Sequence, residues 1–333
     1  MAVAERIRKA PEPKRAARPN KGDNLLLFSG TANPALAQEI GNYLGRSLGR
    51  ISLSRFADGE VNVQIEENVR GKDCFVIQPT CRPPNENLVE LLLILDTLHR
   101  ASAGKITAVV PYFGYARADR KTAPRVPISA KLCANLIVAA GAMRVITIDL
   151  HAGQIQGFFD IPLDHLFATK VFLNYVKSRR LSNVVVVSPD VGGVERARAF
   201  AKRIDSAVAF VDKRRPVPNQ AHVFNVVGDV EGKTALVIDD IVDTAGTLSE
   251  VARALKRLGA AKVYVLATHG VLSGNAIANV EAVPIEELVI TNSIPLTNAA
   301  RNCRKIRVLS IAPLLGEAIL RNHQGESISA LFK

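Results

Sequence analysis

A chain of 333 residues, 48% of them hydrophobic, is long enough for two domains with substantial cores and too apolar to be mostly disordered. Its formal net charge of +12 points to anionic partners, and no apolar run reaches membrane-span length; the longest candidate, Leu88 to Leu95, is the size of a buried helix segment. Four cysteines (Cys74, Cys81, Cys133 and Cys303) show no CxxC spacing, which argues for reduced thiols in a cytosol rather than disulfides or zinc.

Residues 1–23 hold seven Lys and Arg against Glu5, Glu12 and Asp23. Their Ala, Pro and Arg content, without an apolar h-region, predicts a disordered basic tail and not a secretory signal. The tail has no aromatic interleaving, so a nucleic-acid role is not expected. Leu25 to Phe28 then reads as a strand, and Asn33-Pro34 opens a helix running to about Leu44, with Pro at its first position. Ile51–Leu53 and Val61–Ile65 read as a strand pair joined around Ala57-Asp58-Gly59. Short buried-strand patterns at Cys74–Ile77, Ile106–Val110 and Val145–Ile148 alternate with helices at Asn87–Ala101 and Ser129–Ala140. The alternation restarts with a helix at Leu166–Lys177. Strands at Val184–Val187, Val208–Val211, Ala235–Ile238, Val263–Ala267 and Leu288–Thr291 follow. Such β/α alternation predicts an α/β protein of two similar domains, each a largely parallel sheet flanked by helices. The expected boundaries are 24–165 and 166–310, with the last helix, Ile311 to His323, and the tail to 333 packing back on the first domain.

Ligands in open α/β sheets sit beyond the carboxyl ends of the strands, so the polar segments after strands carry the chemistry. In Val237 to Leu248 an apolar run meets Asp239 and Asp240. A small-residue turn, Asp243-Thr244-Ala245-Gly246-Thr247, then enters a helix. Inward-pointing N–H groups of such a turn, the positive end of the helix and two hydroxyls suit a phosphate, and Gly246 lets the backbone approach closely. The two carboxylates suit a vicinal diol. Together these residues read as a cradle for a sugar phosphate.

Other segments are less decisive alone. His151, two residues after Asp149 at a strand exit, could hold a divalent metal or its water shell, or carry a proton, but a loop His is more often a hydrogen-bonding surface residue. Asp190, ahead of Gly192-Gly193, is also a good helix cap. Lys213-Arg214-Arg215 would ordinarily be solvated surface. Pro111 to Lys121 sets aromatic surface beside cations, suited to base stacking and phosphate pairing.

The Val237–Leu248 stretch closely resembles the 5-phosphoribosyl 1-diphosphate motif of the phosphoribosyltransferase fold, which serves both enzymes that use this sugar donor and the enzyme that makes it. The string from Asp149 to Pro162, together with Ser188–Ala197, Val211–Pro216 and Arg55–Glu60, is similar to ribose-phosphate diphosphokinases, and the resemblance runs from about Asn24 to Phe332. It implies two phosphoribosyltransferase-type domains and transfer of the ATP diphosphate to the anomeric hydroxyl of ribose 5-phosphate. In that family pattern His151 and Asp190 attend Mg2+, and Lys213 and Arg215 are the transition-state cations. Phe56, Asp58, Gly59, Glu60 and Arg117 bind ATP, the hairpin being lent by a neighbouring subunit. Asp239, Asp240, Asp243, Thr244, Ala245, Gly246 and Thr247 bind ribose 5-phosphate. Ala118 departs from the pattern, replacing a Gln found in many relatives.

The resemblance further implies a cytoplasmic homo-oligomer, with a hexamer as the expected assembly, and inorganic phosphate as an activator. Arg70, Gln156, Asp164, Ser327 and Ser329 match an effector pocket. Thr122-Ala123-Pro124-Arg125 stands where relatives carry Asp-Lys-Ser-Arg, and Asn68 and His165 replace Ser and Asn. The expectation is therefore that phosphate still activates while ADP acts mainly by competing with ATP.

Overall fold

The structure, a computed structural model, describes residues 24–214 and 223–332. The expected disordered tail, 1–23, lies outside the described residues, as does Arg215.

Five strands form the first sheet: β1 (Leu25–Ser29), β4 (Asp73–Ile77), β5 (Lys105–Val110), β6 (Arg144–Ile148) and β7 (Leu163–Leu166), side by side in that order and all parallel. Burial on both faces explains why β4 and β5 read as continuous apolar runs rather than alternating ones. Helices α2 (Pro84–Arg100) and α3 (Ser129–Ala139) cover one face, while α1 (Pro34–Leu44), α4 (Thr169–Arg179) and α9 (Ala312–Gln324) cover the other. The hairpin of β2 (Ile51–Arg55) and β3 (Val61–Ile65) stands apart as its own two-stranded sheet.

The second sheet contains β8 (Val184–Ser188), β9 (Ala207–Arg214), β10 (Val223–Val227), β11 (Thr234–Val242), β12 (Lys262–Gly270), β13 (Glu287–Thr291) and β14 (Ile306–Leu309). Their spatial order is β10-β9-β8-β11-β12-β13-β14, parallel except for the antiparallel β9–β10 edge. The chain moves outward one way from β8 through α5 (Val194–Arg203), and the other way from β11 through α6 (Gly246–Arg257), α7 (Ala276–Ala282) and α8 (Asn298–Asn302). Right-handed crossovers running in opposite directions put α5 on the inner face and α6 to α8 on the outer face. The strand order therefore reverses between β8 and β11, and a crevice opens beyond their carboxyl ends.

One core is shared by the inner faces of both sheets, where Leu36, Ile40, Phe172, Phe200, Leu315 and Ile319 are buried. α9 lies against α1. Gly316 makes the close approach possible, since a Cβ there would come within 2.4 Å of Tyr43 Cδ1. The Tyr43 hydroxyl donates to Glu317 Oε2 at 3.3 Å. α1 starts as its sequence predicts, with Pro34 in the first turn and Asn33 Oδ1 accepting from Leu36 N at 3.2 Å.

The restart differs in detail. Leu166 closes a four-residue strand, β7, instead of opening a helix, and α4 begins at Thr169. A segment that short carries no readable period, and only its pairing with β6 (Ile148 opposite Leu166) defines it. The edge strands β10 and β14 and the short α7 and α8 are likewise absent from the sequence reading.

Candidate active site

At the switch point β11 delivers Asp239 to Asp243 directly into the turn that starts α6. The β12–α7 loop clasps that turn from below. Val271 N and Ser273 N donate to the carbonyls of Val242 and Asp243 at 2.9 and 3.2 Å. The Ser273 hydroxyl donates to Asp243 Oδ1, and Asn279 Nδ2 to the Thr244 carbonyl at 2.9 Å. Ala245 takes a left-handed conformation (φ 59°), which aims the chain into α6. No side chain caps this helix, so the amides of its first turn remain available beside the Thr244 and Thr247 hydroxyls. A Cβ on Gly246 would meet only Thr244 Oγ1, at 3.7 Å. The open space belongs to the cleft and not to the fold.

The two carboxylates behave differently. Asp240 is buried, with Oδ1 accepting from Arg196 Nη1 and Oδ2 from His151 Nδ1, both at 2.8 Å. Burial opposes its charge, but the bonds from His151 and the Arg196 guanidinium win and hold its carboxyl well below the usual range. The same bond raises His151. Asp239 lies 3.7 Å from the Arg196 guanidinium, and burial together with the adjacent Asp240 charge pushes its carboxyl up.

His151 comes from the other half of the chain, after a kink at Asp149 (φ 40°). That kink is held by β12 of the second sheet and by the residue that precedes α4. Asp149 Oδ2 accepts from Thr268 Oγ1 at 2.6 Å and from Ala168 N at 3.0 Å, and buried His269 bonds through Nε2 to the carbonyls of Ile148 and Asp149 at 3.1 and 3.2 Å. Burial lowers His269, which favours the neutral ring. Arg117, expected at ATP, donates from Nη1 to Asp243 Oδ2 at 2.6 Å and so spans the cleft from the first half to the second.

The cleft has a volume of about 1210 Å3 and is lined by Arg117, His151, Asp190, Asp239 and the whole turn from Asp243 to Thr247. It gathers residues from five strand exits: β5, β6, β7, β8 and β11. Asp190 lies in the turn ahead of α5, its Oδ1 accepting from Gly193 N at 2.9 Å, and makes no bond to His151. Among the described residues no group of three or more His, Cys, Asp or Glu could hold a metal. His151 and Asp190 thus fit only an ion bound mostly through substrate oxygens and water, as Mg2+ often is.

Phe56, Asp58, Gly59 and Glu60 do not line this cleft. Phe56 stands 55% exposed on the hairpin, and Asp58 Oδ1 accepts from Glu60 N at 3.1 Å. Lys213 lies in β9 opposite Phe224, its side chain outside what the structure describes. Of the expected effector residues only Gln156 lines the cleft, its amide donating to the Gly153 carbonyl at 2.9 Å. Asp164 accepts from Arg144 and Asn322, each at 2.9 Å, while Arg70, Ser327 and Ser329 are exposed. Sequence reasoning assigned no role to Arg196, Thr268, His269, Ser273 or Asn279. The available signal was position, since Thr268 and His269 sit near the carboxyl end of a parallel strand and Ser273 in the loop after it.

Residues 25–141 match the N-terminal domain of ribose phosphate pyrophosphokinase, and residues 213–333 a phosphoribosyl synthetase-associated domain. A ribose-phosphate pyrophosphokinase of Bordetella pertussis is 55% identical over 308 residues, covering 92% of this chain and 99% of that protein. Its counterpart in Synechococcus elongatus is 54% identical over 331 residues, covering 98% and 100%. The crystal structure of phosphoribosylpyrophosphate synthetase from Mycobacterium smegmatis superposes with a TM-score of 0.86 at 40% identity, covering 91% of this chain and all of that one. The chain belongs to the ribose-phosphate pyrophosphokinase family.

Proposed function

We propose that this chain transfers the diphosphate of ATP to the anomeric hydroxyl of ribose 5-phosphate, giving 5-phosphoribosyl 1-diphosphate and AMP. The observation that carries this reading is the uncapped start of α6 at the switch point, facing His151 and Arg117 across the cleft. The 5-phosphate sits on the amides of Ala245, Gly246 and Thr247 with the Thr244 and Thr247 hydroxyls, and the ribose diol reaches the acidic pair at the end of β11. The anomeric oxygen attacks the β-phosphorus, an O–P bond forms, and the bond to the α-phosphate oxygen breaks as AMP leaves.

No covalent enzyme intermediate is required, so the chain contributes positioning and charge. Lys213 and Arg215 neutralise the oxygens that gain charge, each contact being worth about 10²–10³ in rate. Mg2+, attended by His151 and Asp190, supplies charge neutralisation of the nucleotide phosphates when bound. Arg117 leaves Asp243 for the nucleotide, and Phe56, Asp58, Gly59 and Glu60 of a neighbouring subunit hold the adenine. That arrangement supports a homo-oligomer built as a hexamer, since the hairpin tip does not line its own cleft. No helix among the described residues is long and apolar enough to cross a membrane. Phosphate activates, and ADP competes with ATP.

The test is direct. Protein, Mg2+, ATP and ribose 5-phosphate are incubated together and AMP is followed. AMP that forms only with the sugar phosphate supports the reading, and sugar-independent release or none refutes it.

A further inference from the structure

The peptide unit that joins Asp149 to Leu150 is gripped at both ends by histidines. Its carbonyl accepts from His269 Nε2 at 3.2 Å, a bond that the ring shares with the Ile148 carbonyl at 3.1 Å. Its amide, Leu150 N, donates to His165 Nε2 at 2.9 Å. His269 belongs to β12 and His165 to β7, so the grip reaches one peptide from both sheets. The next residue is His151.

The two rings must hold opposite tautomers. A nitrogen that faces carbonyls has to donate, which puts the His269 proton on Nε2 and leaves Nδ1 to accept from the Ser293 hydroxyl at 2.9 Å. A nitrogen that faces an amide has to accept, which puts the His165 proton on Nδ1. That Nδ1 is buried and has no hydrogen-bond partner among the described residues. The other tautomer would be worse, since it sets two N–H groups against each other and strands the Leu150 amide as well. Burial lowers both imidazoles and so favours the neutral rings. Neighbouring rings hold each one in place: the centroid of Phe167 lies 4.5 Å from that of His165, and Tyr112 5.0 Å from His269.

We propose that His165 and His269 are positioning residues that clamp the Asp149–Leu150 peptide plane and so fix the backbone from which His151 enters the cleft. The proposal rests on the transferase reading above, in which His151 attends the nucleotide. Neither ring takes part in the chemistry. Loss of the clamp should slow turnover through His151 and leave capture of the sugar phosphate nearly intact.

The experiment uses the full chain. In the unmodified protein, 15N spectra should place the His165 proton on Nδ1 and the His269 proton on Nε2, each resonance identified by its loss in His165→Gln or His269→Gln. The end of a Gln side chain can stand where a His carries Nε2 and can accept or donate there, whereas Phe keeps a ring without either capacity. His165→Phe, or His165→Leu if that variant does not fold, should lower kcat about tenfold or more, with the ribose 5-phosphate KM changed less than about threefold. His165→Gln should bring kcat back to within about threefold of the parent. In a His151→Ala background, His165→Phe should slow the residual rate no further, because one contact cannot be lost twice. Either proton on the opposite nitrogen, full turnover in His165→Phe, a loss that His165→Gln does not repair, or additive losses with His151→Ala would each overturn the proposal. A parent chain that forms no AMP from ATP and ribose 5-phosphate would instead sink the transferase reading, with the tautomers still readable.

Discussion

Replacing Gly246 with Ala separates the site from the fold that carries it. Gly246 is the first residue of α6 and has no positive φ, and a Cβ there meets only Thr244 Oγ1 at 3.7 Å, an ordinary contact. The chain accepts the methyl without strain, and loss of glycine's unfolded-state freedom should stabilise it by about 0.4–1 kcal/mol. The methyl does, however, project into the cleft where the phosphate is to approach the turn. Displacing one charge-assisted amide bond costs about 1.5–3 kcal/mol, which corresponds to a roughly 10- to 100-fold weaker dissociation constant. The assay pairs thermal unfolding with ribose 5-phosphate saturation. A thermal midpoint equal to or above the parent, with a tenfold or greater rise in the sugar-phosphate requirement, is expected. Unchanged saturation would refute the placement of the phosphate on this turn, and a lowered midpoint would refute the claim that the space is empty.

Lys213→Ala should reduce turnover by about 100-fold with ATP binding nearly unchanged, because its charge is needed chiefly in the transition state; calorimetric ATP titration beside kcat checks this. Burial raises the Asp243 carboxyl, but bonds from Ser273 and Arg117 outweigh it and hold it low. A depressed carboxyl contributes stability above its unfolded value and loses it as pH falls through the folded one. Arg117→Met should therefore cost a modest amount, about 0.2–1 kcal/mol for so exposed a pair, at neutral pH, and urea-unfolding curves of the two proteins should converge in acid. Gly316→Ala forces a methyl within 2.4 Å of Tyr43 Cδ1, and overpacking of this kind costs about 1–3 kcal/mol, visible as a lower thermal midpoint. Deleting residues 1–21 should leave thermal midpoint and rate nearly intact, since their composition cannot bury a core.

The sequence by itself carried the α/β alternation, because a strand buried on both faces must be apolar throughout and its helices must repeat every three to four residues. It also carried the small-residue turn that enters α6, since Asp243-Thr244-Ala245-Gly246-Thr247 is a local device whose amides, hydroxyls and helix end lie within one short segment. Local order could not reveal what acts across the chain. Asp239 and Asp240 look equivalent as neighbours, yet only Asp240 is buried and held by both Arg196 and His151, residues 44 and 89 positions away. β7 exists only because β6 offers it an edge, and Asp149 is a strand end in sequence but a fastening point for Thr268 and His269 in space. Strand order, too, is invisible in a linear string. Only the packed sheet puts β8 beside β11 and reverses the winding there, and only the packing of the two sheets adds the exits of β5, β6 and β7 to the same cleft.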